Sequence, residues 1–357
     1  MVPVLCIAGE IEREKKLSKS YNVNSNATLD ISSQYSSVNV TTWNEDRITI
    51  DVVIKVSSNS EELVEKRINS IDVEFTESKS LVTAKTKIGK FSGKYVIMSI
   101  NYTVRIPKKG NIKLVNSFGP TVLSDINGSA DIFCSYGSLE ANAFNSDNNK
   151  INLSFSENSS ITNIKKGTIK AEYSGLTISK AGSVDLDIDF SNVTIAGVDA
   201  INYNAEYGEL NIKNTGKVIG EGSFVETTIG NISELANLTT EYGSLDIKGM
   251  EGSVKNIAIN SSFTPISLNP GDNAYDLEAN LEFAKLKGSS GLEFTEKREK
   301  STESYYKGFY KKSGGMRIFI NSEYGDVNLS TGAGTSPRAP KAPKAPKAPK
   351  APKAPKN

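Results

Sequence analysis

The chain has 357 residues, 37% of them hydrophobic and 23% charged, with a formal net charge of +1 and no histidine. That length supplies one large core or two modest ones, and no apolar run reaches the ~20 residues of a membrane-spanning helix. The lack of histidine removes histidine-dependent triads, the usual zinc sites and the commonest general base.

Residues 1–9 pair a short apolar run with a small-x-small pattern at Cys6-Ile7-Ala8, which reads as the remnant of an export signal. Pro3-Val4-Leu5-Cys6 is a weak lipobox, because a bulky Leu precedes the cysteine. The only other cysteine is Cys134, so no internal disulfide is expected once that segment is removed. Residues 10–28 are polar and charged, a leader with little to bury. A first repeat-like unit spans 29–40. Residues 44–107 then read as a strand at 48–56, a short helix between Ser58 and Ser70 with Ser or Asn as cap, and strands at 71–77, 80–88 and 94–106. Together, 29–110 form a first rung plus a small α+β cap, which a solenoid needs because an open terminal rung exposes unpaired backbone.

From 111 to 290 an aromatic returns every 17 to 21 residues: Phe118, Tyr136, Phe155, Tyr173, Phe190, Tyr207, Phe224, Tyr242, Phe263 and Phe283. Tyr35 precedes the series and Tyr324 follows it after a gap. Apolar or small residues stand two and four positions before each aromatic, and apolar ones return three and five positions after it, as in Ile169, Ala171, Tyr173, Leu176 and Ile178. Spacing of two marks a strand with one face inward; spacing of three marks a corner. Tyr-Gly recurs at that corner (136, 207, 242, 324), where glycine suits backbone that leaves the strand region. Units of this length bury their inward face only by stacking, which predicts an all-β parallel β-solenoid with the rings laddered inside the coil. A β-sandwich or barrel is the competing architecture. Residues 291–315 read as an irregular insertion and 316–330 as a final rung. Residues 331–357 form an Ala-Pro-Lys tail that cannot pack a core and is expected to be disordered.

That tail carries Arg338 and six lysines and no acid; without them 35 basic side chains face 41 acidic ones, a body of about −6. The body lacks the basic face that nucleic-acid binding requires, so no nucleic-acid partner is expected. The tail reads as a spacer, with weak contact to an anionic surface as its second reading. The position before each aromatic carries Glu172, Asp189, Glu206, Glu241, Glu282 and Glu323, and Ser elsewhere. Glu172, Asp189 and Glu206 would lie about 5 Å apart on adjacent rungs, a calcium candidate weighed against a solvated acidic stripe. Tyr305, Tyr306, Lys307, Phe309 and Tyr310 form the most ligand-like surface, weighed against aromatics that cover the solenoid's side. Cys134 reads as a small buried side chain, and Gly220-Glu-Gly222 lacks the context of a phosphate loop. No catalytic residue and no cofactor are expected.

Ile106-Pro107 before Asn111-Ile-Lys-Leu-Val-Asn-Ser-Phe-Gly119, the repeated Glu-Tyr-Gly, and Ser36-Ser-Val-Asn-Val-Thr-Thr-Trp43 resemble the DUF4097/DUF2807 group of bacterial putative adhesins, the head GIN domain proteins. The resemblance covers about 29–330. It implies an exported right-handed β-helix of putative adhesin type and brings no catalytic residues; the chain is therefore expected to be non-enzymatic and to bind an envelope or surface macromolecule, protein or glycan, in the periplasm, at the outer membrane surface or outside the cell. The alternatives are a polysaccharide-acting β-helix enzyme and an envelope-stress accessory protein.

Overall fold

The computed structural model describes residues 10–330. The expected export remnant (1–9) and Ala-Pro-Lys tail (331–357) lie outside the described residues. The described chain divides into two compact units, 10–157 and 158–330.

The first unit begins with β1 (Ile11–Asn22), β2 (Thr28–Gln34), β3 (Ser36–Trp43), β4 (Arg47–Ser58) and α1 (Glu61–Asn69), followed by β5 (Ile71–Glu77), β6 (Leu81–Ile88) and β7 (Val96–Pro107). Its coils are β8 (Asn111–Ser117), β9 (Pro120–Ile126), β10 (Ala130–Ser135), β11 (Ser138–Phe144) and β12 (Asn149–Ser154). Strands β2, β8, β10 and β12 pair side by side in parallel, as do β3, β9 and β11. Each coil is therefore one strand, a corner and a second strand. The parallel run ends in the cap, where β6 and β7 still add in parallel but β5, β4 and β1 add antiparallel. Helix α1 starts at Ser60, whose side chain accepts from the Leu63 N–H, and packs Val64, Arg67 and Ile68 against these strands. The expected leader is in fact largely strand: β1 pairs with β4 along its whole length. Its side chains hide this, because none is buried and several reach ion pairs instead, Arg13 to Glu61 and Glu65, and Lys15 to Asp72.

The second unit contains β13 (Ser159–Glu172), β14 (Gly175–Ile195), β15 (Val198–Glu241), β16 (Ser244–Ile247), β17 (Asn256–Ser262) and β18 (Ile266–Leu268). It continues with β19 (Tyr275–Glu282), β20 (Leu286–Lys287), β21 (Leu292–Glu299), β22 (Glu303–Tyr310), β23 (Met316–Glu323) and β24 (Val327–Leu329). Parallel pairing runs from β13 through β14 and β15 to β17, and from β15 through β16 to β18. Then chain order and spatial order part. The last rung, β23 and β24, sits between β17–β18 on one side and β19–β20 on the other. Residues 291–315 are not irregular: they form the hairpin β21–β22, which adds antiparallel to β19 and covers its edge.

The rings do form a ladder, but outside the coil. All twelve ladder residues, Tyr35 to Tyr324, adopt left-handed backbone with φ between 47° and 61°. Such φ is uncommon for any residue but glycine and turns the chain sharply. It rotates each ring away from the core positions that flank it, so none is buried. In the first unit Tyr35, Phe118, Tyr136 and Phe155 stack with centroids 4.8–5.0 Å apart. In the second the order is Tyr173, Phe190, Tyr207, Phe224, Tyr242, Phe263, Tyr324 and Phe283, at 4.7–5.0 Å. The left-handed residue is thus the aromatic; of the glycines that directly follow a ring, only Gly208 also takes a positive φ, 152°. The glycine beside the ring answers a different need: a Cβ on Gly137 or Gly243 would strike the carbonyl oxygen of Gly119 or Val225 on the adjacent coil. Several other coils carry a hydroxyl there that bonds back across the corner, Ser174 to the Glu172 carbonyl (2.7 Å) and Thr264 to that of Ser262 (2.9 Å).

Inside, apolar columns such as Ile169, Leu186 and Tyr203, or Ile212, Ile229 and Ile247, are almost fully buried. Gly220 and Gly222 occupy inward positions, and at Gly220 the Tyr203 ring fills the space that a Cβ would need. Cys134, the one cysteine among the described residues, is buried, its thiol pushed up to about 11 by that burial.

Candidate functional cleft

Outward side chains of a stacked coil fall into columns, one residue per rung. In the last four rungs of the second unit, the column before the ring carries Glu241, Ser262, Glu323 and Glu282, in spatial order. Two residues earlier, the same face carries Thr239, Asn260, Asn321 and Asn280. The three asparagines form an amide ladder: Asn280 Nδ2 donates to Asn321 Oδ1 at 2.8 Å, and Asn321 Nδ2 to Asn260 Oδ1 at 2.9 Å. Strand β22 extends both columns, since Glu303 pairs with Glu282 and Tyr305 with Asn280.

These columns floor a cleft of about 730 Å³, and the β21–β22 hairpin walls it with Arg298, Lys300, Glu303 and Tyr305. The Arg298 guanidinium lies 4.7 Å over the Tyr305 ring and pairs with Glu296 at 3.1 Å. The Tyr305 hydroxyl donates to Glu278 at 3.2 Å, and reduced hydration together with that carboxylate holds its pKa above the usual phenol range. Lys300 pairs with Glu303 at 3.3 Å. Glu241, Glu282 and Glu323 are exposed. Beside them the ladder rings open to solvent: Tyr242, Phe263, Tyr324 and Phe283 are 41%, 45%, 46% and 49% exposed.

The expected aromatic surface splits across the two faces of β22. Tyr306 is buried, lies 5.7 Å from Phe294 and donates its hydroxyl to Glu299 at 2.7 Å, which helps hold that carboxyl below its ordinary range. Tyr310 stacks on Tyr275 at 5.4 Å. Tyr305 lines the large cleft, while Lys307 and Phe309 line a second one of about 560 Å³ with Asp276, Glu278 and Arg317. Glu172, Asp189 and Glu206 do stand in register on adjacent strands, with Lys170 paired to Asp187 (3.5 Å) nearby. Among the described residues, no group of three or more His, Cys, Asp or Glu is gathered so that it could hold a metal ion.

Sequence reading gives the glutamate column but not the amide ladder. Asn260, Asn280 and Asn321 share one offset from their aromatics, yet they become neighbours only because β23 enters between β17 and β19.

No family model and no curated protein matches this chain. Among solved structures, it is similar to a putative adhesin from Parabacteroides distasonis ATCC 8503, at 10% identity and TM-score 0.38, over 71% of this chain and 97% of that one. It is also similar to a putative adhesin from Bacteroides fragilis NCTC 9343 (9% identity, TM-score 0.28, 88% and 97% covered). A third is a putative lipid binding protein from Parabacteroides distasonis ATCC 8503 (9% identity, TM-score 0.31, 88% and 97% covered).

Proposed function

We propose that this protein is a non-enzymatic, exported β-solenoid that holds a macromolecule of the cell envelope or surface against the outward face of its second unit. The observation that carries this reading is the cleft beside Tyr242, Phe263, Tyr324 and Phe283, where the ladder becomes most exposed and polar columns run alongside it. Repeated, exposed aromatic and polar groups at constant spacing make a binding track rather than a reaction centre. The motif resemblance to the head GIN domain group agrees with an exported, adhesive role. Among the described residues, no helix is long and apolar enough to cross a membrane. The test is retention of the purified protein on isolated envelope material. Retention lost in a Tyr305→Ala, Glu323→Gln double variant of unchanged melting temperature supports the reading, and a native protein that is not retained ends it.

One observation favours a glycan-cleaving enzyme instead: Glu241, Glu282, Glu303 and Glu323 all line the cleft. Their arrangement argues against it. All four belong to one column on one side, whereas glycoside hydrolysis needs two carboxyl groups flanking the scissile bond. Release of reducing ends from polysaccharide, abolished by Glu282→Gln, would establish the enzyme.

A further inference from the structure

Resting on that binding role, we infer that the cleft takes a neutral, extended polysaccharide, one sugar ring to a rung. Three tracks run together along the stacking direction. Ring edges of Tyr242, Phe263, Tyr324 and Phe283 form an apolar track with centroids 4.7–4.9 Å apart. Glu241, Glu323 and Glu282 form a track of hydrogen-bond acceptors. Asn260, Asn321 and Asn280 form a track that both donates and accepts. A ligand that satisfies a periodic surface is itself periodic, and a pyranose chain has a repeat close to the length of one rung. Its apolar C–H flanks can pack on the ring edges by dispersion alone, since stacking occupies the ring faces, and its hydroxyls suit the carboxylates and amides. Tyr305, at the end of the amide track, offers a further apolar contact.

Other ligand classes fit less well. A peptide that adds a strand needs a free backbone edge, but β17, β23 and β19 are each paired on both sides. An acidic polymer meets four carboxylates against Arg298 and Lys300, both already paired with glutamates. A lipid chain would strand the amide and carboxylate tracks without hydrogen-bond partners.

The experiment is affinity electrophoresis of the full chain through gels containing xylan, galactomannan or hydroxyethylcellulose. Polygalacturonate serves as the anionic comparison and chitosan as the cationic one. At least one neutral polymer should retard the protein, with no change on adding salt, while polygalacturonate should not. Glu323→Gln and Asn321→Ala should each weaken retardation by about tenfold or more, a loss of ~1.4 kcal/mol. Melting temperatures identify any variant that fails to fold, and the isosteric Glu282→Gln supplies a second probe of the same track. The inference is overturned if no neutral polymer retards the protein, if folded variants bind as the native chain does, or if only chitosan binds and salt abolishes it. Periodate treatment of envelope material separates this result from the broader role. Retention that survives periodate removes the polysaccharide and leaves the adhesive function, whereas no retention before treatment removes both.

Discussion

Asn116 stands in the column that Cys134 and Leu153 continue, sealed from solvent, yet its side chain is fully bonded. Ser33 and Ser36 donate hydroxyls to its Oδ1 at 3.0 Å each, while Nδ2 donates to the Ser36 and Gly119 carbonyls at 3.0 and 3.1 Å. A buried group with every partner in place costs little; its partners become costly when it leaves. Asn116→Leu should therefore lower unfolding stability by about 1–3 kcal/mol despite adding apolar volume. Adding Ser33→Ala and Ser36→Ala should recover part of that loss in urea titrations. The ladder presents the opposite case, strain offset by contact. Left-handed backbone costs a bulky residue roughly 1–2 kcal/mol, and each ring regains about 0.5–1.5 kcal/mol from each stacked neighbour. Phe190 has two such neighbours, at 4.8 and 4.7 Å. Phe190→Ala keeps the strain and loses both stacks, so a loss of about 1–3 kcal/mol is expected, while Phe190→Tyr keeps both stacks and should cost less, only what the hydroxyls of Tyr173 and Tyr207 exact by lying beside a third.

At the scale of the element, the final rung explains an irregularity that the sequence carries openly. In space the ladder alternates Tyr and Phe without exception within each unit, which keeps phenol hydroxyls from lying directly over one another. Along the chain that alternation fails once, where Phe263 is followed by Phe283. The missing tyrosine is Tyr324, which arrives later and stacks on both. The period, the strands and the cap helix were legible because hydrophobic spacing and a Ser cap are local signals. The outward turn of the rings was not, because spacing of two before each aromatic continues the inward series and nothing in residue type announces a left-handed φ. The strand nature of β1 was masked by charged side chains that reach ion pairs instead of a core. A chain ending at residue 315 tests the insertion. It removes one of the two partners of β19 and interrupts the ladder beside Phe283. Hydrogen exchange should then show amides of 275–282 and of the β21–β22 hairpin losing protection, with β13 and β14 still protected. Equal protection in both chains would contradict the insertion.

For the whole molecule, acidic groups held neutral by burial set the direction in which stability responds to alkali. Burial pushes Tyr102 and Cys134 in the first unit up to about 12 and about 11, and Tyr203 and Tyr275 in the second up to about 12. Their ordinary values are 10.0 for tyrosine and 9.0 for the thiol. Below about pH 8 all four are neutral in both folded and unfolded chains, and they add no pH dependence. Above it the unfolded chain sheds these protons while the folded chain keeps them, so the unfolded state binds fewer protons and stability falls with rising pH. The fall continues until pH passes the folded values near 11 and 12. Each unit holds at least one such group buried in its core, so both should weaken together rather than one alone. Urea midpoints followed by circular dichroism should stay level from about pH 7 to 8 and then drop steadily toward pH 11. Cys134→Ser and Tyr203→Phe should each make the drop shallower, because each removes one proton that only the folded chain retains. A midpoint that holds level or rises over the same interval would mean that these side chains meet water in the folded protein, and that the columns inside the coils are not sealed.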